Sequence, residues 1–143
     1  IQENEFITTA FLADGLRKLI LIESTEQQRI KKSFEKIFEV YGKISNAGPE
    51  PMLNIISTYD EIFGWSVIIF LRSKHRPECY YKGDTERMLI SPAAIDLGGI
   101  VVSPREEDFI RIDKEFLRSI FREVSLDQDT FSLLAKKLKS ELR

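Results

Sequence analysis

The segment WSVIIFLR, residues 65–72, limits the fold more than any other, because its residues 67–71 are apolar without interruption. A strand that is apolar on both faces is covered on both sides, so the segment predicts a strand in the middle of a sheet. The preceding segment MLNIISTY, residues 52–59, is also strand-like, and DEIFG between the two predicts a short turn. We therefore expect two paired antiparallel strands at the centre of the fold.

The start of the chain predicts a β-hairpin followed by a long helix. Two β-rich runs in residues 5–24 flank Asp14-Gly15, and Asp-Gly between such runs is a strong hairpin signal. Ser24 and Gln27 have the spacing of a capping box. Apolar residues at helical spacing follow them and predict a helix that ends at Gly42.

The remainder predicts further strands and two helices. We expect an edge strand within residues 78–82 and another strand at residues 100–102, after Gly98-Gly99. Asp113 is a candidate N-cap for one helix, and a second helix is expected from about Asp127. The predicted fold is α+β: an antiparallel β-sheet of about five strands, a long helix after the first hairpin, and two C-terminal helices.

Composition excludes several classes of function. The 143 residues suit a single domain, residues 1–143, and the net charge of −2 gives the whole molecule no attraction to nucleic acid or membrane. Any anion site must therefore be local. The single cysteine excludes an internal disulfide and a multi-cysteine zinc site, and it is typical of a reducing, cytoplasmic location. No cofactor is expected. The chain begins IQENEF without methionine, so we expect a fragment or the C-terminal half of a longer protein.

The predicted central strand runs directly into Arg72, Lys74, His75 and Arg76. One interpretation is an anion site on a rigid platform, since arginine matches phosphate with a planar fork and lysine adds a point charge. If the strand continues, Arg72, Lys74 and Arg76 point the same way and could neutralise one phosphate group. The other interpretation is a solvated basic loop. The sequence predicts Arg72, Lys74, Arg76 and His75 as phosphate- or nucleotide-binding residues, and none as catalytic or metal-binding.

Other candidate groups carry weaker signals. Lys82 and Arg87 could join the basic cluster, although the sequence does not place them. His75 is the only histidine, so no arrangement of several histidines within this chain is available for catalysis or metal binding. Cys79 could be a reactive thiol or a small half-buried residue. The amides around Gly98-Gly99 could face a ligand or form an ordinary turn.

Three segments support a family resemblance: NIISTY (54–59), WSVIIFLRSKHRP (65–77) and MLISPAAIDLGG (88–99). In them the chain resembles the C-terminal half of a bacterial family of unknown function related to the histidine-triad superfamily. Galactose-1-phosphate uridylyltransferase, diadenosine tetraphosphate phosphorylase and GDP-galactose phosphorylase are similar to that family. The resemblance covers residues from about 6 to 113 and implies a histidine-triad-like α+β layout.

The resemblance also implies a chemical role, and the chain departs from it at the nucleophile. Enzymes of the superfamily carry alternate histidines on the strand that matches residues 65–72, and one of them forms a nucleotidyl-histidine. Here the matching positions are Gly64, Ser66 and Ile68. Since nucleophilic catalysis needs the nucleophile, this chain alone is expected not to be catalytic.

Two functions remain open at this stage. One is the non-nucleophilic half of a nucleotidyltransferase- or phosphorylase-like protein that binds a nucleotide, a sugar nucleotide or another phosphorylated small molecule. Its protein partner would be its own N-terminal half or a second copy in a homodimer. The other is a non-catalytic binding or assembly module of the same fold.

Overall fold

Five antiparallel strands form one sheet, in the order β1-β2-β3-β5-β4. The fold is that of a computed structural model, which describes residues 2–4, 7–12, 17–45, 50–83 and 85–141. The strands are β1 Gln2–Asn4, β2 Ile7–Leu12, β3 Leu19–Ser24, β4 Leu53–Asp60 and β5 Gly64–Leu71. The α+β class and the antiparallel sheet are confirmed. That the chain is one half of a longer protein stays a prediction.

Four helices are described alongside the sheet: α1 Gln27–Ser45, α2 Glu106–Arg111, α3 Lys114–Val124 and α4 Gln128–Glu141. Two 3-10 turns lie at Glu78–Tyr80 and Ile95–Gly98. The long helix after the first hairpin and the two C-terminal helices are confirmed. Among the described residues, no helix is both long enough and apolar enough to cross a membrane.

The apolar segment forms β5, which lies between β3 and β4, so the prediction of an inner strand is confirmed. Its burial alternates along the strand. Val67, Ile69 and Leu71 are buried, whereas Ile68 and Phe70 are half-buried on the opposite face. One face is therefore completely covered, while the other is covered only in part, which corrects the expectation of full cover on both.

Helices α1 and α4 pack against each other, and α1 packs on the buried face of β3 and β5. Fully burying an aliphatic side chain contributes about 1.5–3 kcal/mol, so this layer accounts for much of the stability. Burial raises the pKa of Tyr41 in α1 to about 12, and its hydroxyl donates a 2.6 Å hydrogen bond to the Arg72 carbonyl. The buried members of the core are Ile20, Ile22, Ile30, Ile37, Val40, Tyr41, Val67, Ile69, Leu71, Leu126, Phe131, Leu134 and Leu138.

Two predicted strands were wrong. Residues 78–80 form a 3-10 turn, because the Tyr80 and Tyr81 amides donate to carbonyls three residues earlier, at Pro77 and Glu78. Residues 100–102 have no regular structure. Val101 packs in a small apolar cluster with Ile90 and other residues, while its neighbours on either side are exposed. Alternation of burial there serves local packing, since no described strand pairs with it.

Several expected boundaries can be compared with the described residues. Helix α1 continues through Gly42 to Ser45, because Ile44 still packs against the core, so the predicted stop was wrong. The Asp14-Gly15 turn lies outside the described residues, although β2 and β3 pair as expected. Asp113 caps α3 by accepting a 2.7 Å hydrogen bond from the Phe116 amide, as predicted.

Gly64 at the start of β5 has a backbone that other residues rarely adopt. Its φ is +81°, and a Cβ there would lie 2.6 Å from both the Ser24 carbonyl oxygen and Thr25 Cα. We expect Gly64→Ala to lower the free energy of unfolding by about 2–3 kcal/mol in urea denaturation. Gly83→Ala is the matched control, because a Cβ at Gly83 would meet nothing within 4 Å. Equal stability of the two variants would contradict this account of Gly64.

Candidate functional site

Arg72, the first of the predicted phosphate ligands, is buried and bonded to backbone carbonyls. Only 8% of the residue is exposed. Nη1 donates to Pro92 O at 2.6 Å and Nη2 to His75 O at 2.6 Å, while Nε and Nη2 both reach Lys74 O at 3.2 Å. Burial lowers the pKa of Arg72, and Asp96 nearby opposes that shift. Arg72 thus ties residues 72–76, here called the basic turn, to the loop that contains Pro92.

The side chain of Lys74 is held between two carboxylates. Its Nζ lies 2.9 Å from an oxygen of Glu78 and 2.9 Å from an oxygen of Glu123 in α3. Hydrogen bonds with Glu78 and Glu123 raise the pKa of Lys74. Glu123 also accepts a 2.8 Å hydrogen bond from the Glu78 amide. The positive charge of Lys74 is therefore compensated within the protein, and the contact fixes the basic turn to α3.

His75 and Arg76 are exposed, and Arg76 lies against the same tyrosine ring as Arg87. The Arg76 guanidinium carbon lies 4.0 Å from the centre of the Tyr80 ring, and that of Arg87 lies 5.3 Å from the same centre. Neither arginine forms an ion pair within residues 17–45, 50–83 and 85–141. Nε of Arg87 is buried and has no hydrogen-bond partner in the described part of the chain. We call Arg76, Tyr80 and Arg87 the arginine–tyrosine cluster.

The prediction that Arg72, Lys74 and Arg76 point the same way required β5 to continue through them, and it does not. β5 ends at Leu71, and the Ser73 amide donates to the Val124 carbonyl at 3.0 Å, so the chain turns towards the end of α3. Arg72, Lys74 and Arg76 consequently have three different surroundings. Sequence reasoning named Arg87 only as a possible addition, because the contact that Arg76 and Arg87 share with Tyr80 depends on the 3-10 turn at Glu78–Tyr80.

A buried ion pair holds the segment around Arg87. Asp108 in α2 is fully buried, and its two oxygens accept 2.8 Å hydrogen bonds from Nε and Nη2 of Arg105. The same carboxylate accepts from the Leu89 amide at 2.8 Å, and Arg105 Nη2 donates to Arg87 O at 2.6 Å. Sequence reasoning did not identify Arg105 and Asp108 as a pair. The Arg-x-x-Asp spacing was the signal available for this pair.

Cys79 and the Gly98-Gly99 pair show less evidence of a functional role. Burial raises the pKa of the Cys79 thiol, which opposes formation of a thiolate, and the side chain packs on the small apolar cluster. The Gly99 amide is used within its own turn, donating to Asp96 O at 3.1 Å. In the described ranges, no group of three or more histidine, cysteine or acidic residues is suitably placed to hold a metal ion.

A comparison with protein families gives the class of the chain as a phosphorylase-like C-terminal domain. The family whose model matches is described as GDPGP1-like, C-terminal domain; the match covers residues 44–143, and the chain belongs to this family. The matched region contains β4, β5, the basic turn and all of the arginine–tyrosine cluster. No curated protein and no solved structure matches the chain.

Proposed function

We propose that this chain is the non-nucleophilic part of a nucleotidyltransferase- or phosphorylase-like protein and binds a phosphate-containing ligand, a nucleotide or a sugar nucleotide. The observation that carries the proposal is the arginine–tyrosine cluster, in which two guanidinium groups share one aromatic ring without a described carboxylate partner. Membership of the GDPGP1-like family supports a ligand of this class. The relation to the histidine-triad superfamily is part of the same proposal.

The four cationic residues of the sequence prediction divide into two roles in this proposal. Arg76 contacts the phosphate, with Arg87 as the second arginine and His75 beside them on the exposed turn. Arg72 and Lys74 position the turn, because their donors are occupied by carbonyls and carboxylates. A phosphate that accepts from two guanidinium groups gains charge-assisted, geometrically specific hydrogen bonds.

Tyr80 gives the cluster its preorganisation. An arginine on an aromatic face gains about 0.5–1 kcal/mol at an exposed site, which restricts an otherwise flexible side chain. Less side-chain entropy is then lost when the ligand binds. The Arg105–Asp108 pair adds to this by fixing the backbone at Arg87 and Leu89.

The nucleophile would come from outside this chain. Strand β5 contains no histidine, and the one histidine, His75, is exposed on the turn after it. A nucleotidyl-transfer reaction would therefore need a histidine-bearing strand from the N-terminal half of the same protein or from a homodimer partner. This chain would contribute ligand binding and charge stabilisation.

The test is a calorimetric titration of the chain with GMP, GDP, a GDP-hexose and inorganic phosphate. We expect binding of at least one nucleotide and a loss of at least about tenfold in affinity for the double variant Arg76→Ala/Arg87→Ala, which equals about 1.4 kcal/mol. Removing two charge-assisted contacts is the physical reason. Affinity should also fall as salt is raised.

Arg118→Ala provides the matched control for loss of an arginine. Arg118 is ion-paired with Glu115 in α3, at 2.6 Å, and takes no part in the cluster. Its replacement should leave the nucleotide affinity unchanged. Absence of binding by the native chain, or equal affinity of the double variant, would refute the proposed phosphate role.

A second candidate function, a non-catalytic binding or assembly module, is favoured by one separate observation. The hairpin of β4 and β5 exposes large apolar side chains: Ile62 is 80% and Phe63 78% exposed at its tip. Next to the tip, the exposed Tyr59 of β4 contacts Trp65 of β5, with ring centres 5.0 Å apart. An exposed apolar group of this kind is typical of a protein–protein interface. A titration without any nucleotide binding would favour this function.

A further inference from the structure

A hollow of about 360 Å³ lies on the half-buried side of the sheet and is separate from the arginine–tyrosine cluster in its lining. Its residues come from the segment just before β3, the end of β5, the second 3-10 turn with the residues after it, and α3. This size falls in the range of pockets that bind small molecules. The lining residues on which the argument depends are Arg17, Phe70, Asp96, Leu97, Val101 and Phe121.

Arg17 gives the hollow its polar chemistry. Its guanidinium carbon lies 4.2 Å from the centre of the Phe121 ring, so the planar group is held on an aromatic wall. Nη2 of Arg17 is buried and has no hydrogen-bond partner among the described residues. A buried donor without an acceptor is costly, and such groups are rare in folded proteins. Nη2 itself has almost no accessible surface, so a ligand in the hollow would meet the rest of the Arg17 side chain, which lines it.

The charges around the hollow favour an anion. Leu19 of β3 pairs with Phe70 of β5, and continuing this register by two residues places Arg17 opposite Arg72. Burial lowers the pKa of Arg17, Asp96 opposes that shift, and Arg72 adds to it, as expected for two neighbouring guanidinium groups. Asp96 lines the same hollow, but no ion pair joins it to Arg17 within the described residues. Space for an acceptor thus remains beside Arg17.

We propose that this hollow binds a small molecule carrying one oxyanion group, a carboxylate or a phosphoryl group, on an apolar or aromatic body. The oxyanion pairs with the positive charge of Arg17, which lines the hollow. The body packs against Phe70, Phe121 and the aliphatic side chains of Leu97 and Val101. Asp96 opposes multiple negative charges and favours a single one. This inference does not rest on the proposed function, because the two sites use different residues.

The experiment is a titration of the ¹⁵N-labelled chain followed by amide chemical shifts. Benzoate and phenyl phosphate are the two aromatic probes, and acetate and inorganic phosphate are their counterparts without a phenyl ring. We expect saturable shifts at Leu97, Gly99 and Val101 with an aromatic probe. The counterparts should bind at least about tenfold more weakly, because they do not fill the apolar part of the hollow. The aromatic probe that binds with the higher affinity identifies the preferred oxyanion as a carboxylate or a phosphoryl group.

Arg17→Met separates ligand binding from a structural role. The variant should lose at least about tenfold in probe affinity. Its urea midpoint should be unchanged or higher, since an unpaired buried donor is replaced by an apolar side chain of similar length. Arg118→Met, which removes an arginine outside the hollow, should bind the probes like the native chain.

Three results would overturn the proposal: no saturable shift at the hollow with either aromatic probe, equal affinity of Arg17→Met, or a lowered urea midpoint for that variant. The last would identify Arg17 as a structural residue with a partner in the folded chain. None of these results would affect the phosphate proposal, whose test uses variants of Arg76 and Arg87.

Discussion

Replacing Arg72 by alanine should lower the free energy of unfolding by about 3–5 kcal/mol, one of the two largest effects expected in this chain. The substitution removes a buried guanidinium that satisfies the carbonyls of Lys74, His75 and Pro92. Each buried carbonyl left without a donor costs about 1–3 kcal/mol, and the cavity adds to that cost. Urea denaturation followed by circular dichroism measures the effect.

Arg76→Ala is the natural comparison, because it removes the same side chain four residues later on the exposed part of the turn. Its stability should stay within about 1 kcal/mol of the native chain, since only the contact with Tyr80 is lost. A loss of less than about 1 kcal/mol for Arg72→Ala, together with weaker nucleotide binding, would instead identify Arg72 as a ligand contact. The pair of variants thus separates holding the turn from binding the ligand.

Asp108→Ala should also destabilise the chain by about 3–5 kcal/mol, because it removes the fully buried carboxylate partner of Arg105 and leaves the more distant, exposed Glu107 at 3.5 Å. The Leu89 amide loses its acceptor in the same step. The double variant Asp108→Ala/Arg105→Met should recover part of the loss, since it also removes the partly buried charge that has lost its buried partner. If the double variant is no more stable than Asp108→Ala, the pair does not act as described.

The same pair makes stability depend on pH in a defined direction. Hydrogen bonding to Arg105 lowers the pKa of Asp108, and the Leu89 amide adds to this against the effect of burial. A carboxyl with a lower pKa in the folded state stabilises the fold above its unfolded pKa of about 3.9. That contribution is lost as pH falls through the lowered folded pKa. The stability difference between the native chain and Asp108→Asn should therefore shrink below about pH 4.

Local patterns predicted much of the fold. The helical spacing before Gly42, the unbroken run in β5 and the cap at Asp113 correspond to α1, the inner strand and α3. The same patterns failed at residues 100–102, where only Val101 packs in the small apolar cluster and no described strand pairs with the segment. Three consecutive apolar residues contain no information on whether a neighbouring strand exists.

The candidate site was less accessible to sequence reasoning, because its parts meet only through the tertiary fold. The basic turn was identified, but the carbonyls that occupy Arg72 and the acids that occupy Lys74 lie up to 49 residues away in sequence. Arg17 precedes β3 next to Lys18, and only the pairing of β3 with β5 brings Arg17 near Arg72. Long-range hydrogen-bond partners, rather than residue types, decided which cations remained available.

The contact between Tyr59 and Trp65 has a practical consequence for studying this chain. Trp65 is the only tryptophan and lies at the start of β5, about 20 Å along the strand from Leu71, where the basic turn begins. Its fluorescence therefore reports loss of the folded hairpin from a position remote from Arg76, the proposed phosphate contact. The emission of Trp65 can therefore be used as one signal to compare denaturation curves of samples with and without ligand.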